Sequence, residues 1–176
     1  MLVKILIALT AIVVVLLVVV AMQPGTFRVT RSATISAPPE VVFDQVNNLR
    51  KWEDWSPWAK LDPNMKQTYE GPAAGVGSTY SWAGDSNVGE GRMTIVKSEP
   101  SKLIGIDLEF YKPFAGKNDT EFTFTPHGEQ TVVTWTISGK NNFIAKGMGL
   151  VMSMDSMIGG MFEQGLASMK TISEAR

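Results

Sequence analysis

The chain of 176 residues contains no cysteine and a single histidine, His127. Without cysteine it has no disulfide framework, no thiolate-bound zinc or iron–sulfur cluster and no thiol nucleophile. One histidine cannot build a His-rich metal site, and any His-paired triad would rest on His127 alone. An excess of charge is also missing: 16 basic residues face 17 acidic ones, a net charge of −1. Nucleic-acid binders usually carry a basic patch, so nucleic acid is not an expected partner. Gly75-x-Gly77 lacks a third glycine and a following helix, and no Walker motif or nucleophile elbow occurs. No metal and no cofactor is expected.

The abundant class is apolar residues, and they are unevenly placed. Ile5 to Met22 is an uncharged run of 18 residues broken only by Thr10. A helix of about 20 apolar residues crosses a bilayer core, and Leu2 and Val3 extend the run to that length. The run is too long for a strand and too uniformly apolar for an amphipathic helix. An uncleaved single-pass anchor over residues 1–26 is the preferred reading, ended by Pro24 and Gly25. A cleavable signal peptide is the rival, with Lys4 as its charged start and Val19-Val20-Ala21 as a loose cleavage site. So short a tail before a signal-anchor favours an extracytoplasmic position for the rest of the chain, although Lys4 against Arg28 and Arg31 leaves the positive-inside rule undecided.

Residues 27–176 read as one domain, holding 15 basic and all 17 acidic residues. Phe27, Val29, Arg31, Ala33 and Ile35 alternate as a strand. Pro38 or Pro39 opens a helix with Glu40 in its first turn, and a second short helix carries Leu49 to Trp55 before Pro57. Period-two segments follow at 66–70, 78–83, 89–97, 103–110, 120–125 and 131–138, joined by turns such as Gly84-Asp85 and Pro126-His-Gly-Glu129. Such spacing implies an antiparallel meander. After Gly139 the pattern is helical to the end. With Ile144, Met148, Val151, Asp155, Ile158, Phe162, Leu166 and Met169 on one face, it predicts one long helix. The glycines in this segment predict close packing, a break, or both.

This order, with Pro39-Glu-Val-Val-Phe-Asp-Gln-Val46, the cluster Trp52-x-x-Trp55-Ser-Pro-Trp58 and the ending Phe162-Glu-x-Gly-Leu166 with Met169-Lys170, resembles the START-like (SRPBCC) superfamily. Within it the chain looks like the polyketide cyclase/dehydrase type. The resemblance implies an α+β helix-grip fold: a curved antiparallel sheet of about seven strands, in the order βααββββββα, around a long C-terminal helix. Here a transmembrane helix would precede it. It also implies a cavity for lipids, sterols, polyketides or other apolar molecules, and a minority of members are enzymes.

Strand alternation sorts the sheet residues independently of that resemblance. Tyr80 and Trp82, then Met93, then Ile106, Leu108 and Phe110, then Phe122, then Trp135 fall on apolar faces, whereas Asp107, Glu109 and Glu121 point the other way. From the C-terminal helix, Met154, Ile158 and Phe162 complete the expected ligand-binding set, within a Met-rich stretch suited to a deformable floor. Trp52, Trp55 and Trp58 either pack the small helices on the sheet or form a mouth for apolar ligands. No catalytic residue is assigned. Asp155 is a weak candidate, better read together with Ser153 as a helix cap, and His127 reads as a solvated turn residue.

General acid–base catalysis needs a titratable group at the substrate, and this face offers almost none. Apolar walls with a few polar groups suit binding. The leading expectation is a membrane-tethered domain that binds a small hydrophobic molecule: a lipid, an isoprenoid or a polyketide-like compound. The alternatives are a polyketide cyclase/dehydratase-type enzyme, with Asp155, Tyr80 and Glu109 as the first residues to inspect, and a non-enzymatic interaction scaffold. The scaffold reading requires a protein partner, which the sequence does not identify.

Overall fold

The computed structural model describes residues 1–175. Helix α1 (Leu2–Ala21) is followed by β1 (Thr26–Ile35), α2 (Pro39–Asn47) and the single turn α3 (Trp52–Trp55), with 3-10 turns at Leu49–Lys51 and Pro57–Lys60. Six strands come next: β2 (Lys66–Glu70), β3 (Thr79–Ala83), β4 (Glu90–Glu99), β5 (Leu103–Lys112), β6 (Gly116–His127) and β7 (Gln130–Lys140). Two helices, α4 (Phe143–Met148) and α5 (Met154–Glu174), close the chain.

All seven strands form one antiparallel sheet in the order β1-β7-β6-β5-β4-β3-β2. Six strands in succession pair as hairpin neighbours, and β1 joins the far edge by pairing with β7 from Thr26↔Lys140 to Ile35↔Thr131. The strands run past the expected ends wherever a neighbour continues the ladder, as at Asn118↔Gly139 in β6 and β7. In β4 the register slips between Ile95 and Lys97, so Val96 bulges outward, half exposed. Bulges bend a strand and increase its twist, which helps the sheet curve around α5. This is a helix-grip fold.

The core lies between the sheet and α2, α3 and α5. Val29, Ile35, Ile95, Ile104, Ile106, Phe122 and Val133 from the strands meet Val42, Val46, Leu49, Trp55, Phe162, Leu166 and Met169. Pro39 occupies the first helical position of α2 with Glu40 beside it, a placement in which proline loses no hydrogen bond. Leu49 to Trp55 is not one helix. Asn48 accepts from the Arg50 amide and starts a 3-10 turn, which only then gives way to α3.

The C-terminal expectation needs a larger correction. The chain after Gly139 is not continuously helical, because β7 runs on to Lys140. The side chain of Asn142 then accepts from the Ala145 amide to cap α4, and Gly149 ends it. The side chain of Ser153 accepts from the Ser156 amide and starts α5. The break resets the helical phase. Phe162, Leu166 and Met169 are buried as one stripe, whereas Ile144, Met148 and Val151 are exposed.

Helix α1 is long and apolar enough to cross a membrane. Its 20 residues rise about 30 Å, the thickness of a hydrocarbon core. Thr10, the polar side chain within its apolar run, donates to the Leu6 carbonyl at 2.9 Å, so it satisfies itself within the helix.

Candidate functional site: a cavity between sheet and helix

Between the sheet and the α4–α5 segment lies a cavity of about 700 Å³. Drug-sized ligands occupy pockets of roughly 300–1,000 Å³. Tyr80 and Trp82 of β3, Met93 of β4, and Ile106, Leu108 and Phe110 of β5 form the sheet side of its wall. Trp135 of β7 continues it, and Met154, Ile158 and Phe162 of α5 face it. The pairings Tyr80↔Met93 and Met93↔Leu108 place these residues side by side across three strands.

Phe122 is the exception among the expected wall residues and does not border the cavity. It shares the apolar face, but Trp135 stacks on it with ring centres 4.8 Å apart, and Trp52 and Trp55 approach edge-on at 5.7 and 6.2 Å. Alternation assigns a face; it does not say that another ring lies on top.

Aromatic rings also close the inner end. Trp135 and Phe162 stack at 3.9 Å with planes 8° apart, and Trp58 meets both edge-on at 5.9 and 6.1 Å. Beyond Phe162 the next inward residues of α5, Leu166 and Met169, are core rather than wall. Gly165 allows this closeness. A Cβ there would stand 3.0 Å from the Trp135 ring and 3.2 Å from Pro57. The tryptophan cluster is thus divided. Trp52 and Trp55 donate their indole N–H groups to the Val46 and Gln45 carbonyls at 3.0 Å and anchor the small helices, whereas Trp58 and one side of Trp52 border the cavity. Tyr69 borders the cavity too. It pairs in register with Tyr80, a relation that single-strand patterns do not reveal. Thr120, two residues before Phe122 on the same face of β6, also borders the cavity, and the alternation that marked Phe122 could have found it.

The wall is mainly apolar, but Glu53, Ser56, Gln67 and Thr120 also border this space, and sequence reasoning singled out none of them. The Tyr80 phenol is pushed well above the usual tyrosine range, first by burial and then by Tyr69 and Glu53, so it stays protonated. Burial also raises Tyr69, and its hydroxyl donates to Gln67 Oε1 at 3.0 Å. Trp135 Nε1 and Thr120 Oγ1 belong to residues bordering the cavity, but both atoms are themselves buried and have no hydrogen-bond partner among the described residues. An unpaired buried donor usually costs about 1–3 kcal/mol.

The other titratable candidates lie elsewhere. Asp155, in the first turn of α5, is exposed and accepts two hydrogen bonds from the Arg31 guanidinium at 2.7 and 3.0 Å. That pairing holds its carboxyl below the usual range, the opposite of what a general acid near neutrality needs. Arg31 also donates to Glu163 at 2.7 Å, tying β1 to α5. Glu109 accepts from Lys117 and from the Tyr111 hydroxyl on the outer sheet face, and its carboxyl is likewise lowered. His127 is exposed at the end of β6.

The mouth opens at the end of the sheet where β1 starts and β7 stops. Gln23, Pro24 and Thr26 border it with Phe114, Asn141 and Ile144.

Three solved structures illustrate the fold similarity. The di-domain ARO/CYC protein BexL of the BE-7585A biosynthetic pathway aligns with a TM-score of 0.65 at 16% identity, over 90% of this chain and 53% of that one. The Zhui aromatase/cyclase from Streptomyces sp. R1128 gives 0.61 at 15%, over 86% and 95% of the two chains. The Aha1 dimer from Colwellia psychrerythraea gives 0.61 at 19%, over 84% and 96%. No curated protein matches the chain. The family model described as polyketide cyclase/dehydrase and lipid transport matches residues 26–174, every element from β1 to α5. The chain belongs to that polyketide cyclase/dehydrase and lipid-transport family.

Proposed function

We propose that the protein is a membrane-anchored binder of a small hydrophobic molecule, a lipid, isoprenoid or polyketide-like compound, held between the sheet and α5. In this reading residues 1–26 are an uncleaved anchor and linker, and residues 27–176 form the ligand-binding domain on the extracytoplasmic side. The observation that carries it is the cavity of about 700 Å³, walled by aromatic, aliphatic and methionine side chains. The mainly aromatic, aliphatic and methionine wall favours a ligand with a largely apolar body. Tethering raises the effective concentration of the site near ligand dissolved in the bilayer.

Full-length protein tested with a fluorescent fatty acid and a fluorescent terpenoid is expected to bind at least one of them saturably. Leu108→Trp, which fills the wall, is expected to weaken binding at least tenfold with an unchanged circular dichroism spectrum. No binding of either probe, together with no co-purifying ligand in native mass spectrometry, would sink the proposal.

Tyr80 supports a second reading as a cyclase or dehydratase, since a neutral phenol at the cavity wall can donate a hydrogen bond to a substrate oxygen. Tyr80→Phe then removes turnover of a polyketide substrate while probe binding persists. Equal turnover in both proteins excludes that role.

A further inference from the structure

The rim of the cavity mouth, at Phe114, Ile144 and Met152, and the segment beside it carry apolar side chains that stay largely exposed. Helix α4 has no buried residue at all. Phe143, Ile144, Leu150, Val151 and Met152 are all exposed, Val151 to 91%, and Phe114 in the β5–β6 turn is exposed to 58%. Exposed apolar side chains gathered in one segment mark a candidate contact site. Its place in the chain identifies the contact. Lys146 Nζ donates to the carbonyl of Ala21, the last residue of α1, at 3.1 Å. Asn141 donates from its side chain to the Pro24 carbonyl at 3.1 Å and from its amide to the Gly25 carbonyl at 2.9 Å. Val20, the one buried residue of α1, faces Gly147 of α4.

The apolar rim is therefore bonded to the end of the helix that, on the proposed anchoring, emerges from the bilayer. Four residues, Met22 to Gly25, separate α1 from β1, a reach of at most about 14 Å. The headgroup layer is itself several ångströms deep. Lys140 and Lys146 border the same mouth, where cations meet lipid phosphates.

We propose that this rim is a bilayer-docking surface that seats the cavity mouth on the membrane. An apolar ligand then passes between the acyl layer and the cavity without crossing water. The inference rests on the anchoring reading of α1 and extends it from a tether to an oriented contact.

The absence of cysteine makes the test direct. Single-cysteine variants Val151→Cys, Phe114→Cys and Glu129→Cys of the full chain are labelled with an environment-sensitive fluorophore. They are then reconstituted in vesicles of phosphatidylcholine and phosphatidylglycerol. Glu129 lies in the β6–β7 turn at the opposite end of the sheet. The proposal expects labels at 151 and 114 to be quenched several-fold by doxyl-labelled lipid and shielded from iodide, with the reverse at 129. Labels at 151 and 114 that are open to iodide and untouched by doxyl lipid overturn it. So do labels shielded from both, which would mean a second copy covers the rim. A carbonate wash separates the two claims. Protein that resists the wash but shows no lipid quenching retains its anchor and loses the docking surface. Protein that washes off loses both.

Discussion

At the scale of single residues, charge and burial separate Asp155 and Glu109 from Tyr80. Asp155 and Glu109 lie outside the cavity in ion pairs that keep them ionised. Tyr80 lies inside and is kept neutral, mainly by burial. A phenol whose folded pKa is raised stabilises the fold below its unfolded value of 10.0. That stability is lost as pH rises from there toward the folded value, because only the unfolded chain then gains from ionising. Urea unfolding is therefore expected to need less denaturant from about pH 9 upward, and Tyr80→Phe to show a shallower decline. Part of the decline remains in that variant because Tyr69 is raised too. An identical pH profile for the two proteins would contradict the burial of the Tyr80 hydroxyl.

At the scale of elements, α5 is set by what its glycines permit. At Gly165 the helix backbone reaches the Trp135 ring, and at Gly159 it passes beneath the Arg31 guanidinium. Gly165→Val adds atoms between rigid neighbours, since neither an indole nor a proline ring yields easily. Overpacking of this kind costs typically about 1–3 kcal/mol, so the denaturant midpoint should fall, and the Trp135–Phe162 stack should open in a crystal structure. An unchanged midpoint would mean that the helix slides freely on the sheet. These elements also show what was legible in the chain. Period-two alternation places Tyr80, Met93, Leu108 and Trp135 on the cavity side because a strand has only two faces. It could not separate Phe122, which lies on the right face but under Trp135. Helical periodicity likewise ran through 144–169 as if unbroken, although Ser153, read as a cap, marked the place where α5 starts anew.

At the scale of the molecule, the order of elements and the family pattern were enough to specify the fold. The position of α1 was not, since nothing in a uniformly apolar run says which neighbour its end will meet. That information lies in the pairing of β1 with β7, which brings Gly25 beside Asn141. The apolar residues of 143–152 look like one more stretch of helix core until α4 is seen to have no buried side.

The pairing of β1 with β7 also sets the order of folding. Thr26 finds Lys140, 114 residues later in the chain, whereas strands β2 to β7 each meet a neighbour across a short turn. Local pairings form before distant ones because their loop-closure entropy is smaller. As the chain leaves the ribosome, β1 waits without a partner beside an already completed α1, and the meander assembles from β2 onward. Chains arrested before Gln130 should therefore leave Val29 and Ile35 open to protease, and release past Glu174 should protect them. Protection of β1 in the arrested chain would show that another strand holds it first.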